Sequence, residues 1–371
     1  MSKRLLAAFL SFWLLAACQS SPTTQTFDAA VKKLGARYAP DASLALFKAQ
    51  LHKNNNGDWV LRGETNLPQA AGALIAFTDS LLGADTYTDS LTLLPQAQLG
   101  DSTLAIVRVS VAHLRRAPRH SAELVDQAIM GRVLRLLKKD GGWYFVQTPY
   151  GYLGWMNKSS FVRTDSAGAA AFENSDLLRV NAFSAMIYSA PSTSAPPVSD
   201  AVFNMRLIKK GQKGRWVEVQ LPDGRNGYMP ASALKEAARY APADGARIVE
   251  TARKMLGVPY LWGGNSNKGN DCSGFTQNVF LAHGIQLPRD ARQQALKGEA
   301  VEPGADFSNL RPGDLLFFGK PGKITHVGIS LGGARYIHQA GDVHISSFDP
   351  RDKEYSADRR KSFQFARRVL K

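Results

Sequence analysis

Slid along itself from Trp143 to Trp216, an offset of 73 residues, the 371-residue chain matches itself without a gap. Trp143, Val146, Gln147, Pro149, Gly151, Gly154 and Met156 fall on Trp216, Val219, Gln220, Pro222, Gly224, Gly227 and Met229. Ala117-Pro118 fall on Ala190-Pro191, and Trp155 on Tyr228. Such a repeat commits the middle of the chain to two copies of one supersecondary unit. Each copy holds short β-type runs broken by Gly, Pro, Asn and Asp, the pattern of a small barrel of about 60 residues. The copies are placed at 101–166 and 174–238. Ala167–Ser175 reads as a short small-residue linker between them, and Ser189–Pro197 as a long loop inside the second copy.

The start of the chain reads as an export signal followed by an anchor. Lys3 and Arg4 precede the apolar run Leu5–Leu15, which ends in Leu15-Ala16-Ala17-Cys18. That run is too short to span a bilayer and fits a signal peptide over 1–17. Leu-Ala-Ala-Cys resembles the bacterial lipobox, which implies that Cys18 is lipidated, and Gln19 after it favours the outer membrane. Residues 18–35 are then expected to be a tether. A small α+β domain is expected over 36–100, with a hairpin from Leu44–His52 and Trp59–Thr65, a helix near Pro68–Leu82 and a strand near Ser90–Leu94. The formal charge of +15 suits a basic envelope protein drawn to anionic headgroups and wall carboxylates over a Debye length, ~8 Å. Export excludes nucleic acid as a partner, and the basic run Arg359–Leu370 reads as a last strand with a solvated face.

Cys272 carries the chemistry. Phe275, Val279 and Phe280 recur at helical spacing after it, Asp271 can cap, and Gly284 supplies a stop. A thiol in the first turn of a helix is expected to have a lowered pKa, giving a nucleophile near neutral pH. His326 opens the run His326-Val327-Gly328-Ile329-Ser330-Leu331, and after Gly332-Gly333 the chain returns through Ala334-Arg335-Tyr336-Ile337-His338. The pair reads as a β-hairpin with a histidine on each arm, His326 as the base and His338 as its orienter. A two-residue turn would send the two rings to opposite faces, so an odd-numbered turn or a bulge is required. One thiolate and two histidines lack the paired spacing of a zinc site, so neither a metal nor another cofactor is expected.

Five blocks in order now support a resemblance: Pro259-Tyr260-Leu261-Trp262-Gly263-Gly264, Asp271-Cys272-Ser273-Gly274-Phe275, Leu287-Pro288-Arg289, Arg311-Pro312-Gly313-Asp314-Leu315 and His326-Val327-Gly328-Ile329. The segment 242–371 resembles the NlpC/p60 family of papain-like cysteine peptidases, which cleave bacterial cell-wall peptides. The two repeats resemble bacterial SH3-type domains. The fold class is therefore expected to be α+β, a papain-like domain preceded by two small SH3-like β-barrels and the N-terminal α+β domain. By the resemblance Cys272 is the nucleophile, His326 the base, His338 the third member, and Tyr260 lines the site at the developing oxyanion. Asp290 stands where one subgroup holds the ammonium of a free L-Ala-γ-D-Glu stem peptide, although Ala291 replaces the serine expected next. Ser273, and Tyr150, Tyr152 and Glu123 of the first barrel, are further candidate substrate contacts. The expected partners are peptidoglycan stem peptides and, through the lipid, a membrane. Two other readings stay open: a noncatalytic wall-binding adaptor, and an acyl or amide transferase using the same triad.

Overall fold

The computed structural model describes residues 21–238, 240 and 243–370. The signal segment and Cys18 lie outside the described residues. The chain divides into two compact units, one reaching Pro40 and resuming over Leu46–Leu93, the other made of Asp41–Ala45 with Leu94–Lys371.

The first unit is α1 (Pro22–Tyr38), β1 (Phe47–Lys53), β2 (Trp59–Thr65), α2 (Pro68–Leu82) and β3 (Tyr87–Leu93). Strands β1 and β2 form the expected antiparallel hairpin, and α2 carries the chain over to β3, which pairs parallel with β2. A helix stands where a tether was expected over 18–35. Ser21 caps it by accepting from the Thr24 N–H, and proline opens its first turn. Phe27, Val31 and Leu34 follow at helical spacing and pack on Leu51, Leu61 and Leu74. Three apolar residues among many polar ones make a stripe narrow enough to pass for a tether. The unit closes at Leu93, short of the expected 100.

In the second unit the 73-residue offset reappears as one topology built twice. The first copy contains β4 (Leu104–Val107), β5 (Val111–Arg115), β6 (Leu124–Ile129), β7 (Val133–Asp140), β8 (Trp143–Gln147), β9 (Leu153–Asn157) and β10 (Phe161–Thr164). They pair in the order β10-β4-β7-β8-β9-β5-β6. After α3 (Ser166–Glu173) come β11 (Leu177–Val180), β12 (Ala185–Tyr188), β13 (Pro197–Ala201), β14 (Arg206–Lys213), β15 (Trp216–Gln220), β16 (Asn226–Pro230) and β17 (Leu234–Glu236). Read from β17, their order is β17-β11-β14-β15-β16-β12-β13, strand for strand the same. Each barrel has its own apolar centre, with Val146 and Met156 in one and their counterparts Val219 and Met229 in the other. The segment expected to be a linker between the copies is α3. Alanine is the best helix former, and the Asp165 side chain caps the Gly168 N–H.

The catalytic-type domain follows as α4 (Gly245–Arg253), β18 (Asn265–Ser266), β19 (Gly269–Asn270), α5 (Cys272–Leu281), α6 (Ala291–Gln294), β20 (Glu299–Val301), β21 (Leu315–Lys320), β22 (Lys323–Gly332), β23 (Arg335–Ala340), β24 (Asp342–Ser347), α7 (Ala357–Ser362) and β25 (Phe363–Arg368). Its sheet runs β20-β25-β21-β22-β23-β24. Helix α5 lies across the sheet, buried from Cys272 to Phe280. Phe275, Val279 and Phe280 are sealed against Phe317, Val327 and Ile337, each side chain contributing roughly 1.5–3 kcal/mol by burial. The central helix is thereby fixed, and with it the cysteine at its head.

Candidate active site

The first turn of α5 is built around Asp271, which caps the Gly274 N–H at 2.8 Å and leaves Cys272 as the first helical residue. Gly274 is required: a Cβ there would run into the Gly264 carbonyl. Burial pushes the Cys272 thiol up to about 12, the nearby Asp271 charge adds to it, and the backbone N–H groups of Val327 and Ser273 oppose it. The expected low-pKa thiolate is thus not the resting form. Being only 8% exposed, the sulfur loses more by desolvation than the helix N-terminus returns.

Both histidines lie on one face of the sheet. Gly328 faces His338 and Ile329 faces Ile337, but beyond Ser330 and Tyr336 the register jumps to Gly332 and Arg335. Leu331 is the extra residue, and this bulge is the irregularity that strand alternation demanded. Nε2 of His326 is 2.8 Å from Nδ1 of His338, and Nε2 of His338 is 3.0 Å from the Ser346 hydroxyl. Burial first, then the charges of Arg359 and His344, lower His326 to about 3. Burial with His326 and His344 lowers His338 to about 2. Both rings rest neutral. If His326 Nε2–H donates to His338, and His338 Nε2–H to Ser346, Nδ1 of His326 is left as an acceptor. His326 immediately precedes Val327, whose N–H points at the sulfur, and this is the tautomer a general base needs.

A cleft of about 400 Å³ opens over Cys272, lined by Tyr260, Trp262, Ser273, Asp290, Glu123 and Tyr152 among others. Burial, then the Cys272 and Asp271 charges, raise the Tyr260 hydroxyl to about 12, so it enters as a donor. Glu123 accepts from Trp262 Nε1 at 2.9 Å and from Arg116 Nε at 2.5 Å. Tyr152 is kept protonated by burial and by the Asp290 charge beside it. Asp290 heads α6, its backbone N–H donating to Gln293 Oε1 at 3.0 Å while Arg292 bonds its carboxylate at 2.9 Å. It is therefore both a helix cap and a cleft residue. Arg292 is also held at 2.6 Å and 2.8 Å by Asp41. Burial works against the Asp41 carboxylate, yet Arg292 and Gln293 keep its pKa far below the ordinary range.

Tyr150 is the candidate that the structure moves away from the cleft. It is half-buried, and its hydroxyl donates to Asp126 Oδ2 at 2.5 Å. Under the cleft floor, Asp126 accepts from Arg289 Nε at 2.6 Å, while Arg289 also bonds Asp271 at 3.0 Å and 2.7 Å and the Ser273 hydroxyl at 3.0 Å. Burial opposes the charge on Arg289, but Asp271 and Asp126 hold it firmly protonated. Ser273 is thus tied to this network below the cleft as well as lining it. Sequence reasoning assigned no role to Trp262, Arg289, Asp126, Arg116 or Ser346. Trp262 and Arg289 sat within the five blocks and carried that signal; the others did not. Among the described residues no group of three or more His, Cys, Asp or Glu is placed to hold a metal.

The NlpC/P60 family profile matches residues 257–363, and that of the bacterial dipeptidyl-peptidase Sh3 domain matches residues 114–161. The chain is 31% identical to the gamma-D-glutamyl-L-lysine dipeptidyl-peptidase of Bacillus cereus, over 58% of this chain and 67% of that protein. The chain belongs to the NlpC/P60 family. It is also 28% identical to dipeptidyl-peptidase 6 of Lysinibacillus sphaericus, over 68% of this chain and 95% of the other. An NlpC/P60 family protein of Bacillus cereus of known crystal structure superposes with a TM-score of 0.64 at 25% identity, covering 72% of this chain and all of that one. An NlpC/P60 endopeptidase from Photobacterium damselae shares the fold at 15% identity and a TM-score of 0.54. The protein is therefore a cell-wall peptidase of the NlpC/P60 type, α+β in class, with an SH3-like domain before its peptidase domain.

Proposed function

We propose that the protein hydrolyses the γ-D-glutamyl to diamino acid amide of peptidoglycan stem peptides, reading a free N-terminal L-Ala. His326 takes the proton from the Cys272 thiol as sulfur attacks the γ-carbonyl carbon, and neutral His338, steadied by Ser346, accepts from the Nε2–H of the imidazolium that forms on His326. The oxyanion forms against the Tyr260 hydroxyl and backbone N–H groups beside Cys272. The proton passes from His326 to the departing amine, leaving a thioester. Water, deprotonated by His326, then releases the L-Ala-γ-D-Glu acid and the free thiol.

The observation that carries this reading is the charge at the Asp290 end of the cleft. Asp41, Asp290 and Arg292 form one cluster with a net negative charge, while Glu123 is balanced by Arg116. A single ammonium completes the cluster, and the N-terminus of an unblocked stem peptide supplies one. The names of the relatives, gamma-D-glutamyl-L-lysine dipeptidyl-peptidase and dipeptidyl-peptidase 6, support the same bond. The mature chain, lipidated on Cys18, would meet such peptides at the periplasmic face of an outer membrane. Incubating purified protein with L-Ala-γ-D-Glu-diaminopimelate tests the bond: mass spectrometry should find L-Ala-D-Glu and free diaminopimelate. Release of alanine alone would refute the assignment.

A further inference from the structure

Arg179 is 4% exposed and its Nε meets no acceptor among the described residues. Nη1 donates to Asn204 Oδ1 at 3.2 Å, and the guanidinium lies 5.1 Å from the centre of the Tyr240 ring. Burial lowers the Arg179 pKa, and among the described residues no carboxylate opposes that loss. Directly across the β11–β17 ladder stands Lys235. Like charges facing each other weaken a ladder, and a buried cation without a counter-ion is costlier still. The barrel does not need either charge: at the same two positions of the first copy, Ile106 faces Val162.

Both cations border a crevice of about 290 Å³ between the second barrel and the peptidase domain, whose lining includes Asn181, Arg247, Lys254 and His283. Arg247 is held by Asp244 at 3.3 Å and Lys254 by Glu250 at 2.7 Å. The His283 Nε2 lies 2.9 Å from the Thr251 hydroxyl. Among the described residues, Arg179 and Lys235 are left as an unneutralised pair. We propose that this crevice is an oxyanion-binding site, taking a phosphate or carboxylate group of a small ligand between Arg179 and Lys235. The planar guanidinium offers paired donors to two oxygens, and the flexible Lys235 ammonium closes on the third side. Ala282 and His283, at the tail of α5, border the crevice, while Cys272 is at its head, about 15 Å away by helix rise. The site is thus distinct from the cleft.

Thermal unfolding of the full chain tests this in inorganic phosphate, in acetate and in chloride at matched ionic strength. Binding predicts a Tm about 2–4 °C higher than in chloride. A rise with phosphate alone identifies a phosphate ligand, and a rise with acetate a carboxylate one. Lys235→Gln should lose the rise. Lys235→Glu, which supplies a carboxylate from within, should be more stable in chloride and indifferent to phosphate. No rise in the wild type, or an equal rise in Lys235→Gln, would overturn the proposal. So would Lys235→Gln lowering Tm by the same amount in every buffer, since that is the mark of cations with a purely structural part.

Discussion

The ring of His326 reaches that of His338 at 2.8 Å on a β22–β23 hairpin that takes up one extra residue, Leu331. Deleting Leu331 would leave Gly328 opposite His338 and both rings on that face, so the direct test is at the ring itself: His338→Ala removes the partner of the His326 Nε2–H. We expect a folded protein whose kcat falls by more than a hundredfold, with circular dichroism reporting retained structure. Retained activity would detach His338 from the mechanism.

The neutral resting state fixes the pH dependence. His326 and His338 are lowered from the ordinary 6.5 to about 3 and about 2. Between those values the unfolded chain binds more protons than the folded one, so stability is full above 6.5 and is lost as pH falls through that window. The acid limb of kcat/KM should accordingly lie well below pH 6.5. With the thiol raised to about 12, no alkaline limb should appear near its ordinary value of 9. A limb at or above pH 6.5 would show that a charged histidine pairs with a thiolate at rest.

Ser346 is buried and its hydroxyl accepts the hydrogen bond of the His338 Nε2–H. Ser346→Ala leaves a buried N–H of His338 without a partner, at a cost of about 1–3 kcal/mol. Urea unfolding should show that loss, and kcat should drop about tenfold with KM unchanged.

Much of this site was legible in the chain because its signals are local. Asp271 capping Cys272 is a matter of neighbouring residues, and the histidine spacing alone demanded a bulge. The repeat showed through because tight turns and barrel centres keep their Gly, Pro, Val and Met. What stayed hidden depends on residues far apart in sequence. Asp126 and Arg289 meet across 163 positions, and nothing near either one announces the other. Tyr150 and Tyr152, two residues apart, looked alike as cleft candidates. The first turns under the floor to Asp126 while the second faces Asp290, a distinction that only the packing of the barrel on the peptidase domain makes. The helices α1 and α3 were missed for a simpler reason: sparse apolar spacing and runs of alanine pass for linkers.

The buried link between barrel and peptidase domain is open to mutation. Arg289→Met leaves Asp126 and Asp271 without their cation and should destabilise the second unit by about 3–5 kcal/mol. The accompanying change Asp126→Leu should recover part of that loss, because one unpaired carboxylate goes with it. Equal stability of Arg289→Met and the wild type in urea unfolding would show the network to be dispensable.

Asp290→Asn keeps the shape of the cleft end and removes one negative charge. A charge-assisted contact to an ammonium is worth roughly 1.5–3 kcal/mol, so kcat/KM for L-Ala-γ-D-Glu-diaminopimelate should fall about ten- to a hundredfold. The loss should be smaller for the N-acetylated peptide, which has no ammonium to bind.

The reading of a free amino end by the cleft is tested on the wild-type protein with two substrates. The ratio of kcat/KM for L-Ala-γ-D-Glu-diaminopimelate to that for its N-acetyl form is predicted to be about ten to a hundred or more, with Cys272→Ala inactive on both and unfolding within a few degrees of the wild type. Equal turnover of the free and blocked peptides would contradict that reading, leaving Asp290 as a helix cap and the enzyme as a hydrolase of intact wall.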